Sequence, residues 1–304
     1  MNTVATHDSI PPDRYASNAL ILDGRLVARE IRRRAAEEIT PLIARFRILP
    51  GLGVVRVGED PASVSYARRI QESFASVGVP VSIITLPANA SRTMLQAELS
   101  RLNVLPEIAG ILVQMPLPPH IGLDAVIEVL DPAKDVDGIH PVNIGRLSLG
   151  LDCFVPATPA GGMALLDYYK IPVEGRQAVV VGRSSVVGKP LAQLLLARDA
   201  TVTIAHSRTP NLDELLAQAD IVASATGKPG LIKGAMIKHG AVVLDFGTAV
   251  VNGRITGDVD FAGAVERAGA ITPVPGGTGP MTNAMLLSNT IKAIRKHLSA
   301  ISRQ

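Results

Sequence analysis

Apolar residues recur along this chain in two rhythms. In SVSYARRIQES (Ser63 to Ser73) and the residues after it, Tyr66, Ile70, Phe74 and Val77 fall at spacings of four, four and three. That is the stripe of a helix burying one face. The second rhythm is a short apolar run bounded by Gly, Pro or Asp, as in GLGVVRVG, VSIITL and IAGILVQMPLP, and these runs read as strands. Between them, GRLVAREIRRRAAEEITPLIARF, SRTMLQAELSRLN and LDAVIEVL carry helical spacing. Strands alternating with helices predict a mostly parallel sheet and an α/β fold.

The alternation stops at Asp131 to Pro159, where DPAKDVDGIHPVNIGRLSLGLDCFVPATP is rich in Pro, Gly and Asp and has no sustained period. A domain boundary with functional loops is expected there. A helix, PAGGMALLDYYK, then opens a second series of strands: Ala178 to Gly182, ATVTIA, DIVASATG, AVVLDFG and AITPV. The chain closes on a long helix, GPMTNAMLLSNTIKAIRKHL. The expected division is a flexible extension over 1–17, a first α/β domain over 18–157 and a second over 158–279, with the helix at 280–300 returning to the first.

Composition narrows the class. The 304 residues suffice for two domains, and 47% hydrophobic with 19% charged residues is globular composition. No apolar run approaches the length of a spanning helix and the N-terminal stretch lacks a leader pattern, so a soluble, cytoplasmic protein with no membrane partner is expected. Cys153 is the only cysteine, which excludes an internal disulfide, and the six histidines lack metal-ligand spacing, so no metal is expected. The charge of +3 is scattered and tryptophan is absent. A nucleic-acid partner is not expected; a small anionic ligand suits this charge better.

One candidate for such a ligand follows the strand Ala178 to Val181, which runs into GRSSVVGKPLAQLLLARDA. Glycine at Gly182 and Gly188 lets backbone approach a pyrophosphate, and the helix start offers free N–H groups. The spacing is not G-x-G-x-x-G, and an ordinary strand-to-helix turn is the bland alternative. The next strand ends in AHSRT, so His206, Ser207 and Arg208 stand where an NAD-selective site places an acid. A cation and a hydroxyl there, with Arg183 nearby, suit a 2'-phosphate and favour NADP.

Together, VGEDPAS, GILVQMPLP, PAKDVDGIHPVNIGRL, VVVGRSSVVGKP, AHSRT, ITGDVD and ITPVPGGTGPMTNAML resemble, in order, the signatures of the bifunctional methylenetetrahydrofolate dehydrogenase/methenyltetrahydrofolate cyclohydrolase family, often called FolD. The likeness runs from about residue 20 to the C-terminus. It implies a Rossmann-like NADP-binding domain and an α/β folate-binding domain with a cleft between them, a tetrahydrofolate derivative as substrate, and a homodimer. It implies that Tyr66 packs beside the pterin, Gln114 hydrogen-bonds near the reacting carbon and Asp137 anchors the pterin. Val113 and Met115 flank that glutamine. Pro275, Gly276, Gly277, Thr278 and Gly279 resemble the loop that closes over folate. Gly182, Arg183, Ser184, Gly188 and Ser207 resemble cofactor contacts, with His206, Arg208 and Thr248 beside them.

One position departs from the family. Its lysine for ring opening lies four residues after the tyrosine, where this chain has Ile70. Isoleucine has no proton to exchange, and neighbouring Arg68 and Arg69 face other ways on a helix and stay protonated. The expectation is an NADP-dependent methylenetetrahydrofolate dehydrogenase with cyclohydrolase activity lost or reduced, Ile70 facing the folate cleft beside Tyr66. The alternatives are a full bifunctional enzyme, a catalytically silent folate or dinucleotide binder, and a related two-domain dehydrogenase with another small substrate.

Overall fold

The computed structural model describes residues 18–46 and 49–301, so the extension expected over 1–17 lies outside the described residues. The elements are β1 (Leu20–Ile21), α1 (Gly24–Arg45), β2 (Gly51–Val57), α2 (Pro61–Ala75), β3 (Val81–Leu86), α3 (Arg92–Val104), β4 (Ile108–Val113), α4 (Asp124–Ile127), α5 (Pro141–Ser148) and α6 (Ala157–Tyr168). They continue with β5 (Gln177–Val181), α7 (Gly188–Leu196), β6 (Thr201–Ala205), α8 (Leu212–Gln218), β7 (Ile221–Ser224), β8 (Val242–Asp245), β9 (Ala249–Val251), β10 (Arg254–Thr256), α9 (Phe261–Val265), β11 (Ala270–Ile271) and α10 (Thr278–Ile301).

The first series forms a parallel sheet ordered β3-β2-β4. Because successive side chains on a strand face opposite sides, Leu52 and Val54 of β2 join one core while Val55 joins the other. The first core takes Ile39 of α1, Ile70 and Phe74 of α2, and Leu286, Leu287, Ile291 and Ile294 of α10. The C-terminal helix therefore packs into the first unit. Leu95 and Leu99 of α3 cover the opposite face. Asp60 caps α2 by accepting from Ser63 N–H, with proline at the first helical position where its missing N–H costs nothing.

The second series forms a parallel sheet ordered β1-β11-β8-β7-β5-β6, with β9 and β10 as a separate antiparallel hairpin. Val180 of β5 enters one core of this sheet and Val179 and Val181 the other, so both faces are covered.

Three details depart from expectation. Leu20 and Ile21, assigned by sequence to the first domain, pair with Ala270 and Ile271 in the second sheet, through Leu20 N–H to Gly269 O and Leu22 N–H to Ile271 O. Two residues are too few to show a period, whereas the parallel edge of β11 supplies their backbone partners. The helix expected in LDAVIEVL is regular only over Asp124–Ile127. The hairpin β9–β10, turning at Asn252 and Gly253 with positive φ, lies where no strand was expected.

Candidate functional site

The stretch Lys134–His140 leaves β4's neighbourhood as a turn held by its own acids and amides. Asp135, fully buried, accepts from Ile139 N–H and His140 N–H, and from Asn143 Nδ2 at 2.8 Å. Burial pushes its carboxyl up despite these donors. Asp135 is thus part of the scaffold, and Asn143 extends it by reaching Pro132 O and accepting from Phe154 N–H.

Asp137, two residues on, is half-buried, and no hydrogen bond among the described residues goes to its carboxylate. Burial, and then the nearby Asp135 charge, push it up to about 7. An unpaired carboxylate in low dielectric is costly unless a ligand supplies donors. Tyr66 shares its surroundings: burial, reinforced by Asp137, pushes the phenol up to about 12. Tyr66 also packs against the core that holds Val136, the residue before Asp137.

Gln114 follows directly on β4, where Val113 is buried and Met115 is half exposed. The Gln114 Nε2 donates to Ser63 O on α2 at 3.0 Å, which ties the strand end to the helix that carries Tyr66. Its Oε1 is buried without a hydrogen-bond partner among the described residues. A side chain 5% exposed with an orphaned acceptor points to a missing donor.

Ile70 corrects an expectation. It is fully enclosed in the core with Phe74 and does not face open space beside Tyr66, which is half-buried and packs at the edge of the same core. An apolar side chain gains by turning inward at this register.

The closing loop is only partly available to a ligand. Pro275 and Gly279 are exposed, but Gly276, Gly277 and Thr278 are buried. Gly24 N–H donates to Gly276 O, and a Cβ on Gly24 would lie 1.8 Å from Gly277 O, so the start of α1 rests directly on the loop. Gly276 has φ +115°, open to glycine alone. Thr278, expected to touch substrate, instead donates its hydroxyl to Asp245 O at 2.7 Å. Sequence reasoning missed Arg25, whose guanidinium lies 3.2 Å from where a Cβ on Gly276 would sit; nothing in its local spacing distinguishes it from the other arginines of α1.

At the second site, a Cβ on Gly182 (φ +122°) would lie 2.4 Å from Ala225 O, and one on Gly188 2.1 Å from Gly182 O. Both glycines are thus needed for backbone approach. Ser184 Oγ accepts from Val187 N–H and Gly188 N–H at the start of α7. Arg183, Ser207 and Arg208 are exposed at the ends of β5 and β6, and Thr248 is exposed after β8. His206 is used locally instead: its Nδ1 accepts from Arg208 N–H, capping the turn. Two guanidiniums and a hydroxyl above a glycine cradle fit a phosphate-bearing dinucleotide.

Two cavities of about 340 Å³ each lie elsewhere, one at the amino ends of the second sheet near Arg176 and Lys238, the other between Asp245, Lys233 and Asp260. Neither contains Tyr66, Gln114 or Asp137. Among the described residues no group of three His, Cys, Asp or Glu is placed to hold a metal, and no helix is long and apolar enough to cross a membrane.

Residues 22–137 match the family model for the catalytic domain of tetrahydrofolate dehydrogenase/cyclohydrolase, and 156–298 match its NAD(P)-binding domain. The chain belongs to the tetrahydrofolate dehydrogenase/cyclohydrolase family. The bifunctional protein FolD of Herpetosiphon aurantiacus is 53% identical over 90% of this chain and 96% of that protein. Among solved structures of the family, the bifunctional FolD of Campylobacter jejuni has a TM-score of 0.90 at 40% identity, covering 91% of this chain and 99% of that one. The Trypanosoma brucei FolD, solved with NADP cofactor and inhibitor, has a TM-score of 0.88 at 40% identity, covering 92% and 98%. The two units of this chain are accordingly the catalytic domain and the Rossmann-like NAD(P)-binding domain of a tetrahydrofolate dehydrogenase/cyclohydrolase.

Proposed function

We propose that this chain oxidises 5,10-methylenetetrahydrofolate to 5,10-methenyltetrahydrofolate with NADP as acceptor, in one-carbon metabolism. The carrying observation is Asp137: a half-buried carboxylate with no hydrogen-bond partner among the described residues, near enough to Tyr66 for its charge to act on that phenol, fits a ring bearing amino and ring N–H donors. Bound nicotinamide supplies hydride acceptance, and the protein's task is positioning. Asp137 fixes the pterin, Tyr66 packs against it, and Gln114 presents its free Oε1 near the reacting carbon. The loop 275–279 lies over the bound folate in the cleft between the domains. Arg183, Ser207 and Arg208 hold the 2'-phosphate. Purified protein is expected to form the methenyl chromophore with NADP at least about tenfold faster than with NAD at equal low concentration, one charge-assisted contact being worth that factor. Equal rates would overturn the NADP assignment, and no product with either would overturn the dehydrogenase.

For the second step, water opening the methenyl ring to 10-formyltetrahydrofolate, two readings stand. The relatives' name, a bifunctional protein, favours a chain that performs both steps, and this reading has the wider support. Ile70 supports a narrower one, with slow ring opening, because no proton acceptor stands at that register. Hydrolysis of added methenyltetrahydrofolate separates them.

A homodimer belongs to the same proposal. β6 is the outermost strand of its sheet, with Thr201, Thr203 and Ile204 exposed along a free edge that a second copy can pair. Sedimentation is expected to give twice the 31.9 kDa chain mass; a monomer at micromolar concentration counts against it.

A further inference from the structure

Ligands of open parallel sheets bind beyond the carboxyl ends of the strands. Three of the loops at those ends leave neighbouring strands: the turn at Gly182 after β5, residues 225–227 after β7, and residues 246–248 after β8. One buried side chain holds them in register, and it comes from none of them. Asp258, 1% exposed, lies between β10 and α9. Its Oδ2 accepts from Ser224 Oγ at 2.9 Å, Thr226 N–H at 2.6 Å and Gly227 N–H at 3.3 Å.

The connection runs on in both directions. Ala225 N–H donates to Val181 O, and Ala225 O lies so close to Gly182 that only glycine fits there. On the other side, Asp245 Oδ1 accepts from both Asp258 N–H and Gly247 N–H, and a Cβ on Gly247 would lie 2.4 Å from Asp258 Oδ1. The carboxylate thus sits where displacement would move the loop after β7 and crowd the loop after β8. Gly227 takes φ +68°, so the N–H groups of Thr226 and Gly227 turn together toward one oxygen.

We propose that Asp258 is a positioning residue for the dinucleotide. It touches no ligand itself; it clamps the 225–227 loop against the Gly182 turn and so sets the floor on which the cofactor lies. This inference rests on the NADP reading above. Three donors converging on one oxygen favour a carboxylate, whose charge strengthens each bond, and alanine there would leave Ser224 Oγ and the Thr226 and Gly227 N–H groups without this acceptor.

The test titrates NADPH fluorescence in the full chain, comparing wild type with Asp258→Ala and Asp258→Asn. Binding by the wild type tests the NADP reading; the variants test the clamp. Asp258→Ala is expected to weaken NADPH about tenfold or more, and Asp258→Asn, which keeps one acceptor oxygen, by less. The KM for NADP should rise in parallel while the KM for the folate substrate stays within about twofold, a split that general destabilisation does not produce. If Asp258→Ala does not fold, Asp258→Asn and Ser224→Ala decide, each expected to weaken NADPH by about two- to fivefold. Unchanged NADPH affinity in folded variants, or equal rises in both KM values, would overturn the clamp.

Discussion

Replacing Ile70 with lysine, whose longer stem can carry its amine toward Tyr66 at the edge of the core, is expected to raise the rate of methenyltetrahydrofolate hydrolysis about 100-fold, the lower range of what a positioned acid–base group contributes. Attack by water needs somewhere for a proton to go, and position 70 is closed to that role by a hydrocarbon side chain with no exposure. An amine brought into that core is desolvated, which lowers its pKa toward the range of a useful base. Gln114, whose buried Oε1 lacks a donor among the described residues, is tied to the same helix through Ser63. Because a charged group in this core is costly, the variant should also melt lower than wild type. Decay of the methenyl absorbance reads the outcome. An unchanged rate in a folded variant would show that ring opening in this chain does not wait on position 70, as a fully bifunctional wild type requires.

Asp137→Asn is expected to lower kcat/KM of the dehydrogenase about 100-fold, mostly through KM, since a truncated partner of a buried charged hydrogen bond typically costs that much. Its pH behaviour distinguishes the cause. The carboxyl's folded pKa, about 7, stands above the ordinary carboxylate value of 3.8. The group therefore contributes stability to the ligand-free protein fully below pH 4, and that contribution is lost as pH rises through 7. Folate reverses the preference, because its donors favour the ionised form. Substrate affinity should then rise between pH 6 and 8 in the wild type and stay flat in the variant, while the variant's melting temperature loses part of the wild type's decline over pH 4 to 7. Parallel pH profiles in the two proteins would remove Asp137 from the site.

Legibility in the sequence followed the range of the interactions involved. The strands GLGVVRVG, VSIITL and IAGILV and the helix of Tyr66 announce themselves because burial of one face writes a local period. β1 does not, because its two residues owe their conformation to Ala270 and Ile271, some 250 positions away. Among the proposed site residues, Gln114 and Asp137 are reachable through motif likeness, and the structure adds a physical sign that the letters lack: an acceptor and a carboxylate without a hydrogen-bond partner among the described residues. Asp135 and Asp137 look equivalent in DVDG, yet one is saturated by His140, Ile139 and Asn143 while the other is bare. His206 and Thr278 carried chemistry on paper, but His206 Nδ1 accepts within its own turn and the Thr278 hydroxyl donates to Asp245 O at the end of β8. The direction of Ile70 was misread because a stripe of four apolar positions does not say where the core ends. Asp258 stands within ITGDVD, yet its role is not legible there, since its partners lie 31 to 34 residues away and share no spacing rule with it.

The pairing of β1 with β11 also fixes where this molecule can be cut. A nucleotide-binding half beginning at residue 158 would leave the flank of β11 bare, a second adhesive margin opposite β6, because the strip that seals it is encoded 138 residues earlier at Leu20. A catalytic half ending at 157 would in turn lack Leu286, Leu287, Ile291 and Ile294 from its core. Each half is finished by sequence from the far end of the gene product, so the protein is severable on paper at its middle and whole only when both ends of the chain are kept.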